Sequence, residues 1–73
     1  MNLGMMWFDN NSTDLKTKIE KAATYYRGKY GQEPNMVFVN PKTMPEIIPN
    51  VPGFQLKSTR SVLPNHLWMG VGE

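Results

Sequence analysis

The sequence predicts an α+β domain, one amphipathic helix packed on a small mixed sheet of three to four strands, in the order β-α-β-β-β. Three observations lead there. One stretch alone carries apolar residues at helical spacing. Four short stretches read as strands, several of them apolar on both faces. A run of prolines between residues 40 and 53 breaks any further long element. The chain of 73 residues is a single small domain, a size at which roughly 60% of the unfolded surface becomes buried and stability is marginal.

The first strand is expected at about 3–8. It places Met5 and Trp7 on one face and Met6 and Phe8 on the other. The helix follows from about Thr13 to Tyr30. Leu15, Ile19, Ala22, Ala23, Tyr26 and Tyr30 form its apolar stripe. Asn11 or Ser12 is the expected cap, with Asp14 setting negative charge at the positive end of the macrodipole. Gly31 and then Pro34 end the helix. Gly28 marks either a close approach of another backbone or a loose last turn. The second strand, about 35–39, has no polar residue on either face and reads as central.

Asn40-Pro41 suits the start of a single helical turn. The rest of 40–53 runs irregularly, with Met44, Ile47, Ile48 and Val51 as apolar anchors, and it is the candidate lid for any uncovered sheet face. Strands at about 54–58 and 67–71 complete the chain. The former alternates, with Gln55 and Lys57 on a wet face. The latter sets Leu67, Met69 and Val71 against His66 and Trp68. Leu63-Pro64-Asn65-His66 is a turn, Pro favouring its first corner and Asn its second. A crossover connection would make the first two strands parallel, and a hairpin would join the last two.

The chemistry-bearing residues are few. There is no cysteine and one histidine, His66. A thiolate or multi-histidine metal site is therefore not available within one chain, and no cofactor is expected. Asp9, Asn11, Thr13 and Glu20 fall at calcium-loop spacing, but Asp14 stands where that loop needs glycine. No hydroxyl is spaced to make a nucleophile with His66 as base, so an enzyme is not expected. The apolar start is short for a signal-peptide core and lacks a basic leader. No stretch reaches the roughly 20 apolar residues of a membrane span. A cytoplasmic, non-membrane protein is the expectation.

Net charge is +2, and the positive residues concentrate on the helix, where Lys16, Lys18, Lys21, Arg27 and Lys29 oppose only Asp14 and Glu20. Lys18, Lys21, Tyr25 and Lys29 could bind phosphates and stack a base, which makes a small nucleic-acid-binding accessory the alternative function.

The main expectation comes from counting faces. One helix covers one side of a sheet, so strands apolar on both sides leave a second surface. Trp68, His66, Met6, Phe8, Val37 and Val39 are its candidate residues. They point to a non-enzymatic protein-interaction module that pairs with itself as a homodimer or with another protein.

Overall fold

The computed structural model describes residues 4–72. Along the chain run β1 (Gly4–Phe8), α1 (Leu15–Tyr30), β2 (Met36–Val39), a 3-10 turn (Pro41–Thr43), β3 (Gln55–Ser58) and β4 (His66–Gly70). Leu3, expected to open the first strand, lies outside the described residues. One helix on a four-stranded mixed sheet is the α+β architecture expected.

The sheet order is β1-β4-β2-β3. β4 runs antiparallel to both β1 and β2, while β2 and β3 are parallel neighbours. β1 and β2 thus share a direction, as a crossover requires, but β4 lies between them. The expected hairpin of the last two strands does not form. β4 is apolar on both faces and takes a central place, whereas β3, carrying Gln55 and Lys57, takes an edge where water reaches it.

Helix α1 is capped by Asp14, not by Asn11 or Ser12. The Asp14 carboxylate accepts the Thr17 amide at 2.9 Å, and hydrogen bonding from Thr17, its hydroxyl first and its amide second, holds the Asp14 pKa below the ordinary carboxylate value, with Lys16 adding a smaller pull. At the other end Gly31 adopts the left-handed conformation at φ 67°, and its amide bonds the Arg27 carbonyl. Nothing lies within reach of a Cβ on Gly28, so no close approach accounts for that glycine. Ile19, Ala22, Ala23 and Tyr26 are buried against Met5, Val37, Val39, Leu67 and Met69. Burial pushes the Tyr26 phenol up, with Tyr30 as a second cause.

Asn40 caps the 3-10 turn by accepting the Lys42 amide at 2.8 Å, with Pro41 at its first position. The proline-rich crossover then runs on the helix side. Val51 is buried in the core cluster and Met44 packs against it. Ile47 and Ile48, expected as anchors, project outward at 87% and 60% exposure. The crossover therefore completes the helix-side layer and does not act as a lid on the opposite face.

Candidate interaction surface

The pleat divides each strand between two environments. Met5, Val37, Val39, Leu67 and Met69 face the helix and are buried, with Trp7 packed against them. The expectation that Val37 and Val39 belong to the leftover surface is thereby corrected. They are 0% and 1% exposed beneath α1, and the outer positions of β2 are Met36 and Phe38. With both faces of that strand apolar, alternation groups its residues correctly without saying which group meets the helix.

On the outer face the register aligns Met6, Trp68, Phe38 and Lys57 in one row across the sheet. Phe8 and His66 form a second row. The aromatic rings touch across neighbouring strands. Phe38 and Trp68 lie 5.6 Å apart between centroids, and Phe8 and His66 lie 4.9 Å apart, both tilted as ring quadrupoles favour. Two glycines make room for this layer. A Cβ on Gly4 would collide with the Trp68 indole, and one on Gly72 would collide with Met36. Trp68 therefore lies flat across the neighbouring strand, outside the main core as expected of it.

One cover for this face was not legible in the sequence. The connection from β3 to β4 carries Val62, 4% exposed yet separate from the core cluster. With Thr59 and Ser61 it lines a groove of about 290 Å³ against Met6, Phe38 and Trp68. Long-range bonds hold this lip in place. Asn40 Nδ2 donates to the Val62 carbonyl at 2.7 Å, and the Thr59 amide donates to the Val39 carbonyl at 2.8 Å. No local spacing encodes them. The turn beyond follows the sequence reading. Asn65 has φ 63° and the His66 amide bonds the Leu63 carbonyl at 3.1 Å, the arrangement of a turn with Pro at its first corner. His66 Nδ1 donates to the Pro64 carbonyl at 2.9 Å.

A larger concavity of about 460 Å³ opens where α1 begins, between Leu15, Leu67 and the crossover prolines. Several of its polar groups are engaged with the chain. Lys18 Nζ donates to the Asp9 carbonyl, Asp9 Oδ1 accepts the Asn11 amide, and Asp14 serves the helix cap. Among the described residues no group of acidic, histidine or cysteine side chains could hold a metal ion, and no helix is long and apolar enough to cross a membrane.

Of the four helix residues that could meet nucleic acid, three have partners inside the chain. Lys18 is tied to the end of β1. The Tyr25 ring tilts on Trp7 at 5.4 Å, and the Lys29 ammonium sits 5.4 Å from the centre of the Tyr30 ring. Lys21 is exposed. The structure brings Met6, Phe8, His66 and Trp68 together on the outer face, leaves Val37 and Val39 on the other, and keeps Lys18, Lys21, Tyr25 and Lys29 along one flank of α1. Compared with known proteins, the chain matches no family model, no curated protein and no solved structure.

Proposed function

We propose that this chain is a small non-enzymatic protein-interaction module that self-associates through the outer face of its sheet. One observation carries the reading: the row Met6–Trp68–Phe38 stands on a face that neither the helix nor the proline-rich crossover covers. Apolar surface of this kind on a small soluble domain marks a contact site, and tryptophan, phenylalanine and methionine are the residue types concentrated in such sites. Symmetric pairing is the commonest form of association, and the stretch Met6–Trp68–Phe38 carries no charge, Lys57 standing at the β3 end of the row.

The test is molar mass in solution. Light scattering at micromolar to millimolar concentration is expected to rise toward twice the mass of one chain. Trp68→Ala, and separately Phe8→Ala, should return it to the single-chain value while the circular dichroism of the fold persists. A wild-type chain that stays at single mass throughout would sink the proposal.

A further inference from the structure

Resting on the self-association in that reading but placing the contact at a strand edge instead of over the face, we infer that the partner is a second copy of this chain and that it docks at the edge of β1, antiparallel, with Met6 facing Met6 across a two-fold axis. The outer face alone is small. Four strands of at most five residues span roughly 20 by 17 Å at ordinary strand spacings, well under the roughly 800 Å² per partner of a stable complex. Exposure is also unevenly spread over it. Met6 and Phe8 are 52% and 58% exposed, whereas Met36, Phe38, His66 and Trp68 are half-buried. The most open apolar residues of the face thus lie on one edge strand.

The backbone of that strand points the same way. The Asp9 amide donates to the Asn65 carbonyl, which places Asp9 and, by alternation, Trp7 and Met5 in the hydrogen-bonded pairs with β4. The amides and carbonyls of Gly4, Met6 and Phe8 therefore point away from the sheet, and no described element pairs with them. The two edges of the sheet differ in protection. β3 holds Lys57 at its third position, a charge that discourages strand addition. β1 reads Gly-Met-Met-Trp-Phe, with neither charge nor proline.

The sequence of β1 is also complementary to itself reversed. Centring the pair on Met6 sets Gly4 opposite Phe8 of the second copy at both ends and engages all three outward residues of each strand. A shift by two residues in the sum of paired positions would leave one of them unpaired. Gly4 has no side chain and lies under the Trp68 indole, so the incoming Phe8 meets the edge of that ring, aromatic against aromatic. The product is a continuous eight-stranded sheet in which Met6 and Phe8 of the two copies pack side by side on the outer face.

Amide hydrogen exchange read by NMR tests this directly. At a concentration where the mass has doubled, the amides of Met6 and Phe8 are expected to exchange at least about tenfold more slowly than after dilution to single chains. A doubled mass with both amides still fast overturns edge pairing while leaving association through the face intact. A chain that never doubles overturns both. In parallel, Met6→Pro removes an outward amide together with the side chain and no hydrogen bond of the β1–β4 ladder, which should survive. It is expected to raise the dissociation constant by about tenfold or more, whereas Met6→Ala, which keeps the amide, should retain the doubled mass. Equal loss in the two variants would overturn the role given to the backbone.

Discussion

Gly4 shows how one residue decides what its neighbour does. The absent Cβ lets the Trp68 indole lie across β1, and the ring takes up the space that a larger side chain would occupy. Gly4→Ala is expected to displace that ring and to cost about 1–3 kcal/mol, as overfilling of a packed site does. Urea unfolding would measure the loss, and a shifted Trp68 indole N–H signal with an unchanged Trp7 signal would localise it. Unfolding and spectra like those of the wild type would show the indole to be loosely seated. Trp7 poses the complementary problem. Its ring packs against the core and on Tyr25, yet its Nε1 is buried with no hydrogen-bond partner among the described residues. A small domain has few polar groups to offer a second buried indole.

At the scale of elements, α1 was legible because its signals are local. Stripe, cap and stop all lie within one stretch of chain, and the single misplaced detail was the cap, which falls on Asp14. That residue makes a titration informative. Since its folded pKa is lowered, the stability it contributes is complete above the ordinary carboxylate range and is lost as pH falls through the folded value. Helicity followed by circular dichroism should therefore decline in acid by an amount that Asp14→Ala lacks. An identical acid profile in the variant would remove the cap from the account. The strands were legible as segments, and their pairing was not. The hairpin expected of β3 and β4 is replaced by β2–β3 and β2–β4 neighbours, since the polar face of β3 suits an edge and the apolar faces of β4 suit the centre.

For the whole molecule, the proposed self-association would couple stability to concentration. A chain of 73 residues without disulfides gains from any partner that binds only the folded state. The melting temperature of the wild type is expected to climb by several degrees between about 10 μM and 1 mM, and that of Met6→Pro to stay flat. A flat wild-type profile in calorimetry would count against association in solution. By itself the sequence determined the fold class, the single helix and its stripe, the turn at Pro64-Asn65, and the presence of more apolar strand surface than one helix can cover. All of these follow from spacing along a few residues. Only the tertiary structure decided the strand order, the burial of Val37 and Val39 in place of Met36 and Phe38, the position of the proline-rich crossover on the helix side, and the Val62 lip. Those depend on contacts between residues far apart in the chain, and a strand apolar on both faces carries no pattern that says which face the helix will meet.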